Sequence, residues 1–243
     1  MNFESIAYAL LLGVLPALLW LWFWVQEDNL HPEPRSILIL TFVAGALTVI
    51  ATIFIEQFIS ILFSGDALIT TRYVLWAATE EISKLVTVII IAMGSREMDE
   101  PIDAMIYCIT AALGFAALEN SLYIFTHLSN GDMTAGLISS NVRFMGATLL
   151  HVVSSASVGF MIGLAMYQNA FVRTVSLLTG VILATTLHTS FNLSIIGVKS
   201  DTEVLKIFGW VWGAIIILLI LFEEIKIVKP KIPEVTEELL EVK

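Results

Sequence analysis

The sequence predicts an all-α fold, a polytopic transmembrane helical bundle of about seven spans. Three observations predict it. Hydrophobic residues make up 58% of the 243 and charged residues only 14%. The mean hydropathy is +0.89. The apolar residues fall into runs of about 20, the length a helix rising 1.5 Å per residue needs to cross a bilayer core. This length of chain would suit one or two soluble domains. Here spans and short loops use it up, so we read a single unit over residues 1–228 and a polar, acidic tail over 229–243. A net charge of −10 argues against nucleic acid, which needs clustered Lys and Arg. The one cysteine, Cys108, excludes an internal disulfide and a cysteine-rich zinc site, and reads as packing on an apolar helix.

The first expected span is about Ser5 to Val25, read as a retained anchor because no basic n-region precedes it. Pro16 is a candidate kink, and Trp20, Trp22 and Trp24 read as an interfacial belt. A polar loop stiffened by Pro32 and Pro34 leads to span two, about Ser36 to Phe58, with Glu56 read as an interfacial acid. Span three runs from about Thr71 to Met93. An acidic loop, Ser95 to Pro101, precedes span four, about Ile102 to His127. Asp103 there reads as a charge favoured by the helix dipole. Span five is about Arg143 to Tyr167, after a polar loop; its Gly159 and Gly163 have the small-xxx-small spacing of close helix pairs. Span six is about Phe171 to Gly197 and span seven about Glu203 to Val228.

Span three holds the costliest residues. Glu80, Glu81 and Lys84 lie mid-run, where each charge costs roughly 2.5–3.5 kcal/mol on insertion scales. Such residues face a bundle interior or a wet cavity, so the default reading is a functional site. Lys84 is four residues from Glu80 and three from Glu81, so it can reach either. Adjacent helical residues point about 100° apart, so one acid can be held by Lys84 while the other acts on water. The bland alternative is a buried ion pair that only locks helix packing.

Other spans carry polar groups too: Glu119 and Asn120, His151, then His188 and Asn192. Counted at 1.5 Å per residue, Glu81 lies about 15 Å from its outer span end, His151 about 12 Å, and Glu119 and His188 about 13–14 Å. Agreement within one helical turn predicts one shared intramembrane cavity, nearer the outer face. Carboxylate and imidazole together suit water activation, with Asn192 or His188 as oxyanion donor. Two His and a Glu from separate helices also match a catalytic zinc ligand set. Metal-bound and metal-free water both remain open, as does the choice between Glu80 and Glu81. Ser154 and Ser155, one turn after His151, are the best serine candidates. Basic residues divide seven against four: Arg35, Arg96, Arg173, Lys226, Lys229, Lys231 and Lys243 on one side, Arg72, Arg143, Lys199 and Lys206 on the other. The bias favours an outside N-terminus and a cytoplasmic C-terminus.

These motifs resemble, in order, those of the PrsW family of intramembrane proteases, relatives of the CAAX-processing and bacteriocin-processing proteases. Glu80-Glu81-x-x-Lys84 resembles the first motif and Phe115 to Asn120, with Tyr123, the second. His151 with its small followers resembles the third, and His188-x-x-Phe191-Asn192 the fourth. The Pro32 to Arg35 loop is similar too, so the resemblance covers about Asp28 to Asn192. Asp103-Ala104 stands where the family often has Asp-Gly, and Glu119 where CAAX relatives commonly have histidine. The resemblance implies a multi-pass protease of the cell membrane that trims membrane-anchored regulatory proteins such as anti-sigma factors. It implies zinc as the cofactor, for which His151, His188 and Glu119 are the expected ligands. Glu80 or Glu81 is then the base, with Lys84, Asn120 and Asn192 in support. The rivals are a proton-coupled transporter, for which no internal repeat is visible, and a non-catalytic membrane scaffold.

Overall fold

In the computed structural model, residues 3–27, 31–198 and 200–230 are described. The expected tail lies, from residue 231 on, outside them. The described residues fold into helices without strands: α1 (Phe3–Val25), α2 (Arg35–Leu62), a 3₁₀ turn (Asp66–Leu68), α3 (Ile69–Ile91), α4 (Pro101–Ser129), α5 (Met133–Met145), α6 (Ala147–Leu164), α7 (Ala170–Ile196) and α8 (Asp201–Lys226).

Local chemistry sets the boundaries. Pro101 opens α4, and the Asp103 carboxylate turns back to accept from the backbone N–H groups of Asp99 (3.0 Å) and Glu100 (2.7 Å). This capping box is the task of Asp103, more specific than the dipole role read from sequence. Asn169 caps α7 through Val172 N–H, and Asp132 caps α5 through Ala135 N–H. Glu33, buried between two prolines, accepts the Tyr107 hydroxyl and fastens the loop before α2 to α4.

Helix α4 is the axis of the bundle. Every residue from Pro101 to Ala117 is buried, and α1, α2 and α6 pack on it. Small residues allow the approach. A Cβ on Gly45 would strike the Ala111 carbonyl, and one on Gly114 the Phe42 carbonyl, so α2 and α4 cross backbone to backbone. A Cβ on Gly159 would meet Met105 Cα at 2.6 Å, and one on Gly163 the Pro101 carbonyl. The small-xxx-small pair of α6 is thus spent on α4.

Six helical stretches are long and apolar enough to cross a membrane, with α5 and α6 taken as one. The seventh expected span is α3. At 23 residues it has the length, but Arg72, Glu80, Glu81 and Lys84 lower its hydropathy. It packs against α2, α4, α6 and α7 with those last three charges buried, which is how a charged helix is tolerated in lipid.

Two expectations need correction. The polar loop before span five is largely helical: α5 runs from Met133 to Met145 and joins α6 at Gly146. It packs on α1 and α4 through Gly136 and Ser140, the Ser140 hydroxyl donating to the Leu12 carbonyl, and that tertiary contact is invisible to hydropathy. The tryptophan belt is also only partial. Trp22 is exposed, whereas Trp24 is fully buried and stacked on Phe222 of α8, ring centroids 5.2 Å apart.

Candidate active site

Adjacent acids on α3 receive opposite environments. Glu81 is buried and saturated. Its Oε1 accepts from Lys84 Nζ (2.8 Å) and His188 Nδ1 (2.9 Å), with Ser154 Oγ at 3.1 Å. Its Oε2 accepts from Ser155 Oγ at 2.8 Å. The two serines therefore hold an acid and are not placed as nucleophiles. Glu80 is buried as well, yet its Oε2 has no hydrogen-bond partner among the described residues. Around that oxygen stand Lys84 Nζ at 3.7 Å, His188 Nε2 at 3.7 Å and His151 Nδ1 at 3.9 Å.

The hydrogen bonds fix the histidine tautomers. Lys84 Nζ can only donate, so the His151 Nδ1 at 2.8 Å from it carries a lone pair. The ring proton of neutral His151 is then on Nε2, 3.0 Å from Glu119 Oε2. His188 donates from Nδ1 to Glu81, so the neutral ring carries its lone pair on Nε2. The His188 lone pair thus lies beside the unpartnered oxygen of Glu80, and so does His151 Nδ1, whose own lone pair is taken by Lys84. Their rings stand edge to face, centroids 5.0 Å apart, and Phe115 closes the apolar side.

This arrangement fits a metal ion. Ligand atoms of Glu80, His151 and His188 lie within 4.8 Å of one another. The distances from Glu80 are within about half an ångström of the roughly 3.4 Å that separates neighbouring ligands of a tetrahedral zinc. Each histidine is backed by a carboxylate on its other nitrogen, Glu119 behind His151 and Glu81 behind His188, the usual outer support of metal-bound imidazole. An ion would have to displace the Lys84 ammonium from His151 Nδ1, since both cannot use one lone pair. Glu119, expected as a ligand, lies outside this trio and serves as the carboxylate behind His151.

Asn120 and Asn192 do not reach Glu80. Asn120 donates to Thr148 Oγ1 at 2.8 Å, linking α4 to α6. Asn192, one turn past His188, is half-buried and makes no side-chain hydrogen bond among the described residues.

Two further residues belong to the site. Arg143, expected on an outer surface, reaches Glu119 Oε2 with Nη2 (2.7 Å) and Asn120 Oδ1 with Nε (2.5 Å), and lies 4.0 Å over the Tyr123 ring. Glu56, read as interfacial, lines the same cavity as Glu80 and Glu119. Each is a lone charge flanked by apolar residues, Ile55 and Phe58 for Glu56, Val142 and Phe144 for Arg143. That is the signal that marked Glu80, and it could have found both.

A cavity of about 220 Å³ opens beyond the α2–α4 crossing, lined by Thr52, Glu56, Glu80, Phe115, Glu119 and Tyr123 among others. Larger cavities, about 350 Å³ beside Met98 and Arg173 and about 740 Å³ beside Tyr167, hold none of these acids. Tyr123 and Leu122 at the mouth are exposed on the flank of the bundle. The smaller cavity therefore lies between Glu80 and the exposed flank of the bundle.

A family model described as PrsW family intramembrane metalloprotease matches residues 33–222. A relative named Protease PrsW from Oceanobacillus iheyensis is 27% identical over 81% of this chain and 86% of its own. Proteins of that name from Geobacillus kaustophilus and Bacillus subtilis are 30% and 24% identical, over 64% and 74% of this chain and 65% and 79% of theirs. No solved structure matches.

Proposed function

The chain belongs to the PrsW family of intramembrane metalloproteases, and on that premise we propose that it cuts a peptide bond at Glu80, in the cavity between α2 and α4. One observation carries the reading. The Oε2 of Glu80 is the buried carboxylate oxygen of the site that no group among the described residues hydrogen-bonds, and a buried acceptor left so costs about 1–3 kcal/mol. It is placed to bind something the chain does not supply, and in a hydrolase that is water or a metal.

Glu80 accepts a proton as water adds to the scissile carbonyl, and returns it to the amine nitrogen as the C–N bond breaks. Lys84 is the nearest cation to Glu80, and its charge opposes the negative charge developing on the carbonyl oxygen. Glu81, held by four donors, keeps His188 and Lys84 in register and takes no proton. A divalent ion, for which zinc is our choice, would be held by Glu80, His151 and His188. It would supply Lewis acidity and a lowered water pKa. With Glu80 so engaged, Glu56, which lines the same cavity, is the acid that can receive the proton. The substrate is a membrane-anchored protein of the anti-sigma-factor kind, cut near the outer face of the cell membrane. The basic-residue bias supports a cytoplasmic C-terminus.

The test is cleavage of a co-expressed single-span reporter. Glu80→Gln and His188→Ala are expected to abolish cleavage while the protein still inserts and runs as a monodisperse species, and Asn192→Ala to keep it within about threefold. Undiminished cleavage by Glu80→Gln would remove this acid from the reaction.

A further inference from the structure

Arg143 sits one turn before the break at Gly146 and holds a chain of contacts that ends at the reacting centre. Its Nη2 donates to Glu119 Oε2 at 2.7 Å. The same oxygen receives His151 Nε2 at 3.0 Å, and His151 Nδ1 faces Glu80 at 3.9 Å. The guanidinium is steadied on two other sides, by Asn120 Oδ1 and by the Tyr123 ring, and Asn120 is itself tied to Thr148 of α6. Only 17% of the Arg143 side chain is exposed. The planar cation of α5 therefore grips three residues of α4, two of which are bonded in turn to α6.

We propose that Arg143 is a positioning residue: by clamping the Glu119 carboxylate it holds the Nε2 side of His151 as Lys84 holds the Nδ1 side, and the two together fix the tautomer and rotation of the ring beside Glu80. The physical ground is geometric. A carboxylate receiving two donors on one oxygen, one of them from a rigid fork braced by a third helix, has one orientation. With the His151 donor alone it can swing about its side-chain torsions. Lysine at this position would keep the charge and lose the fork, because an ammonium presents one point of attachment where guanidinium presents two in a plane. The idea explains why an arginine at the end of α5 turns into the bundle. It also assigns α5 a task, which is to carry that clamp.

Two measurements on the full-length purified protein test it. The zinc measurement rests on the metal reading above; the NMR measurement does not. Zinc affinity is read by chelator competition. Loss of an outer-shell partner typically costs 10–100-fold in metal affinity. Arg143→Gln is expected to weaken zinc about tenfold, and Arg143→Lys to recover part of that loss. Arg143→Gln combined with Glu119→Gln should be no weaker than Glu119→Gln alone. The second readout is ¹⁵N NMR of protein labelled at its four histidines. Wild type should show a single Nε2–H tautomer for His151, Arg143→Gln a mixture, and Arg143→Lys an intermediate pattern. If zinc fails to bind wild type, the metal reading falls and the tautomer signal still decides the positioning role. An unchanged His151 spectrum in Arg143→Gln would overturn the proposal. So would a double variant whose two losses simply multiply, since Arg143 would then act by a route other than Glu119.

Discussion

Glu80 and Glu81 are neighbours in sequence and opposites in circumstance, and the difference is measurable as stability. Glu81 and Lys84 form a buried pair with every polar atom of the acid used. Removing one partner of such a pair strands the other and costs about 3–5 kcal/mol. Glu80 has an oxygen with nothing to lose. Lys84→Ala and Glu81→Ala are therefore expected to unfold well below wild type in a detergent thermal melt, and Glu80→Gln within about 1 kcal/mol of it. Equal destabilisation by all three would mean that Glu80 is part of the scaffold. The buried-ion-pair alternative weighed from the sequence thus describes one acid of the two.

At the scale of elements, the glycines on α4 and those facing it set how near its neighbours come. Gly114 and Gly159 are backbone contacts with α2 and α4 respectively, so a β-branched side chain at either must push a helix away. Overpacking of this kind costs about 1–3 kcal/mol, and more where backbone is the obstacle. Gly209 and Gly213 of α8 have nothing within 4 Å of where a Cβ would stand. We expect Gly114→Val and Gly159→Val to lower the yield of monodisperse protein severalfold on size-exclusion chromatography, and Gly209→Ala and Gly213→Ala to leave it unchanged. A yield unaffected by the valines would contradict the packing described for α4.

The same scale explains what the sequence made legible. Runs of apolar residues located every spanning helix within a few residues, because hydropathy and length are local properties. Helix α5 is not legible, since 133–142 is polar enough to read as loop and its contact with Leu12 of α1 lies far off in sequence. Depth counting brought Glu80, Glu81, Lys84, Glu119, His151 and His188 to one level, and the structure places them in contact. It could not supply rotation about each helix axis. Hence it grouped Asn192 with the acids, and took Glu119 where the trio has Glu80. Arg143 and Glu56 were set aside as boundary charges for the same reason, because a residue near an expected span end can point inward or outward.

Taken as a whole molecule, the bundle encloses more acid than base. Glu56, Glu80 and Glu119 line the cavity with Glu81 buried beside Glu80, while Lys84 is paired with Glu80 and Glu81 and Arg143 with Glu119. Two surplus carboxyls in a low-dielectric interior must be neutralised, because an unpaired buried charge is far costlier than a paired one. Two protons can do this, or one divalent cation in the trio of Glu80, His151 and His188. The alternatives differ in thermodynamic linkage. A ligand that binds the folded state alone stabilises it by about 2.7 kcal/mol when present at 100 times its Kd. If the cation is the answer, exhaustive chelation lowers the melting temperature of the wild type, and zinc restores it in a concentration-dependent way. Glu80→Gln, which loses a ligand and one surplus charge together, melts at the same temperature with or without zinc. If protons are the answer, chelation and zinc leave the wild type unmoved and its melting temperature follows pH alone. The wild-type and Glu80→Gln melts, each with and without zinc, therefore decide whether the charge imbalance of this bundle is a metal site.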